Sequence, residues 1–96
     1  MIQSFADAGT ADVFHGKNTK AARALSKAIG PIIRRKLDLL NAAQALGDLR
    51  VPPGNRLETL KDDQAGRYSV RVNDQYRLTF RFEAGHASDV RCEDYH

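Results

Sequence analysis

Two stretches in the second half of the chain alternate apolar and polar residues and must therefore pair side by side in a sheet. The apolar positions are Tyr68, Val70 and Val72 in one stretch and Tyr76, Leu78, Phe80 and Phe82 in the other. Successive residues of a strand face opposite sides and every second residue faces the same side, so both apolar sets reach one core if Val72 pairs with Tyr76. A two-residue turn would instead pair Val70 with Arg77 and bury an arginine. The alternation predicts an antiparallel hairpin closed by a three-residue turn at 73–75.

Arginines occupy the opposite face of this predicted hairpin. The same register places two like-charged pairs across the strands, Arg71 with Arg77 and Arg67 with Arg81. Like charges directly opposite each other destabilise a sheet, whereas an anion between them would offset the repulsion. The planar guanidinium donors suit phosphate in particular. The alternative is that these arginines extend into solvent or pair with Asp89 or Glu93.

The first half of the chain has a helical pattern. Residues 19–49 are rich in Ala, Leu, Lys and Arg, and one predicted helix face carries Ile29, Ile33, Leu37, Leu40 and Ala43. Gly30-Pro31 interrupts this pattern, because Gly closes a helix and Pro is favoured in the first turn of the next. Two helices of an antiparallel hairpin are predicted, with a single kinked helix as the alternative. Upstream, Ile2–Phe5 is a candidate strand, and 10–15 is a candidate helix with Thr10 as its N-cap.

The architecture changes at Val51-Pro52-Pro53-Gly54-Asn55, which cannot continue a helix. The predicted strands beyond it are Arg56–Leu60, Arg67–Val72, Tyr76–Phe82 and Asp89–Tyr95. Helices followed by strands indicate an α+β fold, with helices packed on a small, mainly antiparallel sheet. A chain of 96 residues is expected to form a single domain, 1–96.

The sequence argues against a disulfide-stabilised fold and against a membrane-spanning protein. The single cysteine, Cys92, cannot form an internal disulfide, and its strand parity predicts a core position. No segment has the pattern of a signal peptide or the roughly 20 apolar residues of a membrane span, so we expect a cytoplasmic protein without a membrane partner. The net charge of +3 permits a polyanionic partner.

The chain closes on a run of proton-transfer groups, Glu93-Asp94-Tyr95-His96. Strand parity places Arg91, Glu93 and Tyr95 on the arginine face, with Tyr95 approaching Arg77. Together these groups could cleave a phosphodiester without a metal, since protons must move while negative charge builds on phosphorus. The alternative is a frayed terminal histidine and a tyrosine that serves packing.

Further lysines and arginines lie outside this face. Lys61 follows a predicted strand and belongs either to a solvated turn or to the arginine face. The helices carry cations at spacings of three, four and seven: Lys20, Arg23, Lys27 and Arg34. This basic stripe is either a docking surface for the ribosome or another nucleic acid, or a solvated outer face.

Several of these segments resemble one protein family. The segments are 51–58, Leu60-Lys61, 66–77 and the closing Asp94-Tyr95-His96. Together they are similar to HigB toxins, the plasmid-maintenance or killer-protein branch of the RelE and ParE toxin superfamily, over nearly the whole chain. The resemblance implies a RelE-like fold and a ribosome-dependent endonuclease that cleaves mRNA in the 30S decoding site and needs no cofactor. Its implied partners are the ribosome, mRNA and a HigA-like helix-turn-helix antitoxin, with operator DNA bound only through the toxin–antitoxin complex.

The resemblance also implies roles for individual residues. Lys61 matches the family's active-site lysine, Arg77 its motif arginine, and Asp94, Tyr95 and His96 its terminal catalytic cluster. Some relatives have a histidine three positions before the lysine, where this chain has Glu58. The remaining hairpin arginines, Arg67, Arg71 and Arg81, are then candidate RNA contacts. Two alternatives remain: a ParE-like gyrase inhibitor without RNase activity, and a nuclease-dead partner that binds only antitoxin or DNA.

Overall fold

A computed structural model describes residues 1–94 and shows three helices followed by a four-stranded sheet. The helices are α1 (Ala8–Phe14), α2 (Lys20–Ile29) and α3 (Ile32–Ala42). The strands are β1 (Glu58–Thr59), β2 (Tyr68–Arg71), β3 (Tyr76–Glu83) and β4 (His86–Asp94). The sheet order is β1-β2-β3-β4, and all neighbouring strands are antiparallel. The predicted α+β fold is confirmed; the expectations for Tyr95 and His96 lie outside the described residues.

The predicted hairpin register between β2 and β3 is confirmed. Val70 pairs with Leu78 and Tyr68 with Phe80. The Val72 backbone N–H donates to the Tyr76 carbonyl at 3.0 Å, which closes the three-residue turn. The Asn73 side chain fixes this turn, since its Oδ1 accepts hydrogen bonds from the backbone N–H groups of Gln75 and Tyr76.

The core lies between α3 and the inner face of the sheet. It contains the buried side chains Ile29, Ile33, Leu37, Leu40, Ala43, Leu49, Val70, Val72, Leu78, Phe80, Ala87 and Val90. The predicted helix face supplies the first five, and the strand alternation supplies Val70, Val72, Leu78 and Phe80. The other sheet face is therefore left for polar residues. Among residues 1–94, no helix is long and apolar enough to cross a bilayer.

The helices differ from the prediction in how α2 packs and in where α3 ends. Gly30, with a φ of 79°, separates α2 from α3, which confirms two helices. However, α2 packs mainly against α1 rather than α3, and a Cβ on Gly9 would lie 3.4 Å from the Ala21 carbonyl. The helical pattern was expected to run to Leu49, yet α3 ends at Ala42. A separate 3-10 turn follows at Leu46–Arg50. Its start is held by Asp48, whose Oδ2 accepts hydrogen bonds from the backbone N–H groups of 44 and 45.

The N-terminal segment also corrects two expectations. Asp7, not Thr10, caps α1, because its Oδ1 accepts from the Thr10 N–H at 2.7 Å. Thr10 is instead buried, and its hydroxyl oxygen accepts from the Cys92 N–H at 3.1 Å. The candidate strand Ile2–Phe5 forms only two isolated parallel bridges, to Ala87 and Val90 of β4. The predicted strand 56–60 is likewise reduced to the two residues of β1.

Candidate active site on the polar face of the sheet

Side chains from β2, β3 and β4 form two polar rows across the outer face of the sheet, here called the polar face. One row is Arg71, Arg77 and Glu93, and the next is Ser69, Thr79 and Arg91. The like-charged cross-strand pair of Arg71 and Arg77 is present as predicted. Arg71 also forms an ion pair with the exposed Asp74 of the hairpin turn. The polar face therefore mixes guanidinium groups with carboxylates rather than being uniformly cationic.

The carboxylate of Glu93 interacts with three other polar side chains near this face. It accepts a hydrogen bond from the Thr79 hydroxyl, forms an ion pair with Arg91 at 3.0 Å, and receives Gln64 Nε2 at 3.3 Å. Burial alone would raise the pKa of Glu93, but these donors and the nearby charge of Arg67 outweigh it and lower the pKa overall. Glu93 is thus held as a carboxylate directly opposite Arg77.

Arg67 does not lie where a phosphate could bind it directly. Only 7% of the residue is exposed. One terminal nitrogen donates to the Thr79 hydroxyl at 2.9 Å and to the Asp89 carbonyl at 2.8 Å. Burial, and next the charge of Arg91, lower the pKa of its guanidinium. This burial argues against the expectation that Arg67 contacts RNA, and we assign it the positioning of β3 and β4.

Lys61 is exposed and begins the 3-10 turn Asp62–Gln64 between β1 and β2. Gln64, from the same turn, reaches Glu93 on β4, although β1 and β4 are opposite edges of the sheet. The side chain at the end of this turn therefore reaches the polar face. Glu58, at the position where some relatives have histidine, is exposed on β1 opposite Ser69.

The last described residues of β4 lie beside the arginine row. Tyr76 pairs with Asp94, and Asp94 Oδ2 accepts from Gln75 Nε2 at 3.1 Å. Glu93 pairs with Arg77, so the carboxylates of Glu93 and Asp94 both lie at this end of the sheet. The predicted catalytic residues Tyr95 and His96 follow directly, outside the described residues. Within residues 1–94, no group of three or more His, Cys, Asp or Glu side chains is arranged to hold a metal ion.

The other basic residues predicted to contact RNA or the ribosome lie in two regions of the structure. Arg81 is exposed on β3 and lies 3.7 Å from Asp89, so the alternative pairing expected for the hairpin arginines is present here. In the basic stripe, Arg23 and Arg34 line one hollow of about 390 Å³. Arg34 is held there by Asp38, the Val13 carbonyl and the Phe14 ring. Lys20 and Lys27 are exposed but do not line this hollow.

Sequence reasoning missed the roles of Gln64 and Thr79. Strand parity could have found Thr79, because it lies on the same face as Arg77 and Glu93. No local signal marks Gln64, since its contact depends on how a turn crosses the sheet.

The fold is that of RelE-like toxins. The chain is similar to the YoeB of the *Staphylococcus aureus* YoeB–YefM complex, with a TM-score of 0.60 and 18% identity, covering 100% of this chain and 98% of that one. It is also similar to YafQ from *Escherichia coli*, with a TM-score of 0.53 and 13% identity, covering 99% and 92% of the two chains.

Sequence comparison identifies the family within this class. The model of RelE-like HigB toxins of type II toxin–antitoxin systems matches residues 3–96, and the chain belongs to this family. It is 46% identical to Toxin HigB-1 of *Vibrio cholerae* over 82% of this chain and 83% of that protein. It is 34% identical to Endoribonuclease HigB of *Proteus vulgaris* over 67% of this chain and 68% of that protein. Membership in a toxin–antitoxin family implies an antitoxin partner.

Proposed function

We propose that this toxin is an endoribonuclease that cleaves mRNA on the ribosome, in the 30S decoding site. The proposal is supported by its family, by the relative named Endoribonuclease HigB, and above all by one structural observation. The row of Arg71, Arg77 and Glu93 lies at the end of the sheet where β4 reaches Asp94. Guanidinium groups and carboxylates thus share one border of the polar face, which suits the stabilisation of charge and the movement of protons in phosphodiester cleavage.

In the proposed reaction the 2′-hydroxyl of a codon nucleotide attacks the adjacent phosphorus. The 2′-oxygen to phosphorus bond forms, the phosphorus to 5′-oxygen bond breaks, and the products are a 2′,3′-cyclic phosphate and a free 5′-hydroxyl. One proton leaves the 2′-hydroxyl and another is delivered to the 5′-oxygen, so the reaction needs a base and an acid but no metal. Lys61 and Arg77 stabilise the charge on the phosphorane, Tyr95 and His96 move protons, and Asp94 orients them.

Arg71 and Arg81 are the proposed RNA-backbone contacts, because both guanidinium groups are accessible on the polar face. Ribosome dependence is proposed because the proposed site lacks a complete set of strong bases. If the ribosome holds the mRNA in attack geometry, the entropic part of the activation barrier is lowered. The basic stripe of Lys20, Arg23, Lys27 and Arg34 is the proposed ribosome contact. The antitoxin is proposed to be HigA-like, with a helix-turn-helix that carries the complex to operator DNA in the cytoplasm.

The experiment compares wild type with Arg77→Ala and His96→Ala on ribosomes programmed with a defined mRNA. Removing one charge-stabilising donor typically slows such a reaction by about a hundredfold or more, so both variants should fail to cleave while keeping the wild-type circular dichroism spectrum and antitoxin affinity. Arg50→Ala is an arginine control outside both the polar face and the basic stripe, because Arg50 is exposed on the 3-10 turn Leu46–Arg50, and it should retain cleavage.

Two outcomes would contradict the proposal. Equal cleavage of naked and ribosome-bound mRNA would remove the ribosome from the mechanism. Mapping 5′ ends after brief induction in cells should show codon-phased cuts; DNA damage without cuts would indicate gyrase inhibition, and neither would indicate a nuclease-dead partner.

A further inference from the structure

A second candidate binding site lies on the other side of β2, between α3 and the Pro52 segment. This α3 pocket has a volume of about 320 Å³ and is lined by Ile32, Arg35, Lys36, Leu39 and Pro52. Its floor is apolar and its rim carries two cations. The size is at the lower end of the roughly 300–1,000 Å³ typical of ligand pockets, which fits a unit as small as one nucleotide.

The charge of this pocket is not balanced by nearby acids. Among residues 1–94, neither Arg35 nor Lys36 forms an ion pair with a carboxylate, whereas the adjacent Arg34 pairs with Asp38. Burial, and then the charges of Arg71 and Arg35, lower the pKa of Lys36. Arg71 and Arg35 therefore repel the Lys36 ammonium, and an anionic ligand would relieve that repulsion.

Hydrogen bonds hold the pocket in shape. Lys36 Nζ donates to the Oδ1 of the fully buried Asn55. The Asn55 amide in turn donates to the carbonyls of Leu49 at 3.2 Å and Val51 at 3.3 Å. These bonds fix the chain on both sides of Pro52 against α3, so the pocket is formed without a ligand.

The α3 pocket lies near the end of β2 that carries Arg71, whose charge acts on Lys36. β1 runs antiparallel to β2 with Glu58 opposite Ser69, so the chain just before β1 runs beside the end of β2. The Pro53–Asn55 turn accordingly contacts β2, whose last residue is Arg71. An RNA strand bound across Arg77 and Arg71 would therefore approach Lys36 and the pocket.

We propose that the α3 pocket binds one nucleotide of the RNA strand adjacent to the cleaved linkage. The base lies between the Arg35 guanidinium and Pro52, over Ile32 and Leu39, and a backbone phosphate meets Arg35 and Lys36. Stacking on a guanidinium plane and apolar contact recognise any base, so the site adds affinity without reading sequence. This inference rests on the proposed function and extends it by one RNA subsite.

The test measures binding of wild-type toxin to uncleavable RNA oligonucleotides carrying 2′-O-methyl groups. A trinucleotide is compared with oligonucleotides lengthened by two nucleotides at the 5′ or the 3′ side, using fluorescence anisotropy. Stacking of one base and one phosphate contact should make one of the lengthened RNAs bind about tenfold more tightly. Arg35→Glu should abolish this gain, and Ile32→Ala, which leaves the charge unchanged, should reduce it.

Lys17→Glu is the control, because Lys17 is exposed, lies outside the α3 pocket and changes the net charge equally. It should preserve the gain from lengthening. The proposal is wrong if neither lengthened RNA binds wild type more tightly, or if Lys17→Glu and Arg35→Glu reduce the gain equally. It is also wrong if Arg35→Glu weakens only the antitoxin complex, which would make the pocket a protein-docking site. Ribosome-dependent cleavage by wild type is scored separately, so failure of the proposed nuclease function is read from that assay and not from the binding ratios.

Discussion

Replacing the buried Arg67 with methionine should destabilise the fold by about 2–3 kcal/mol. One guanidinium nitrogen makes two hydrogen bonds, at 2.9 Å to Thr79 and 2.8 Å to the Asp89 carbonyl. A hydrogen bond from a charged donor contributes roughly 1.5–3 kcal/mol. Two such bonds would together contribute about 3–6 kcal/mol. Methionine retains the aliphatic part of the side chain and removes both the desolvation cost of the guanidinium and its repulsion with Arg91, so we expect a loss at or below the lower end of that range.

The control is Arg81→Met, which removes the same charge from the neighbouring strand. Arg81 lies 3.7 Å from Asp89, and the two side chains are 52% and 54% exposed, so this pair should contribute under about 1 kcal/mol. Urea unfolding followed by circular dichroism measures both variants. For a chain of this size the loss at Arg67 corresponds to a fall in Tm of about 10–20 °C. Equal midpoints for the two variants would refute the positioning role of Arg67.

Three further predictions concern other parts of the molecule. The pKa of Glu93 is lower in the folded protein than in the unfolded chain, so its ionised carboxylate stabilises the fold at pH values above the unfolded pKa. This stabilisation is lost as the pH falls through the folded pKa, and the difference in unfolding free energy between wild type and Glu93→Gln should therefore shrink in acid. Thr10→Val removes the acceptor of the Cys92 N–H and should cost about 1–2 kcal/mol in urea unfolding, whereas an unchanged midpoint would contradict that bond. Burial first, and then Asp7 and Glu93, raise the pKa of the Cys92 thiol to about 12, so iodoacetamide should modify it far more slowly in native than in urea-unfolded protein, and equal rates would contradict this environment.

The strand and helix patterns predicted most of the architecture because each follows from local periodicity. The alternation from Tyr68 to Phe82 defined the register, since a shift of one residue would have buried Arg77. The break at Gly30 was equally local, because a residue with positive φ ends the helix. By contrast, no pattern in α2 itself encodes the choice of α1 as its main packing partner, because that contact joins two helices through residues such as Gly9 and Ala21 that are distant in sequence.

Strand parity also placed most of the candidate site, but it could not define what each side chain contacts. It correctly placed Arg71 opposite Arg77 and Glu93 on the same face. It failed for the environment of Arg67, because parity assigns a face of the sheet and says nothing about what covers that face. The turn that carries Gln64 crosses the sheet to Glu93, a contact between residues 29 positions apart.

The sequence by itself therefore determined the order of helices and strands, the hairpin register and the clustering of arginines towards the carboxyl end. These depend on backbone geometry and on side-chain period, which act over a few neighbouring residues. Only the tertiary structure decided that Arg67 is buried, that Glu93 is held ionised among donors from three segments, and that Lys36 and Pro52 enclose a pocket beyond Arg71. Burial and electrostatic environment are set by segments distant in sequence that come together when the chain folds.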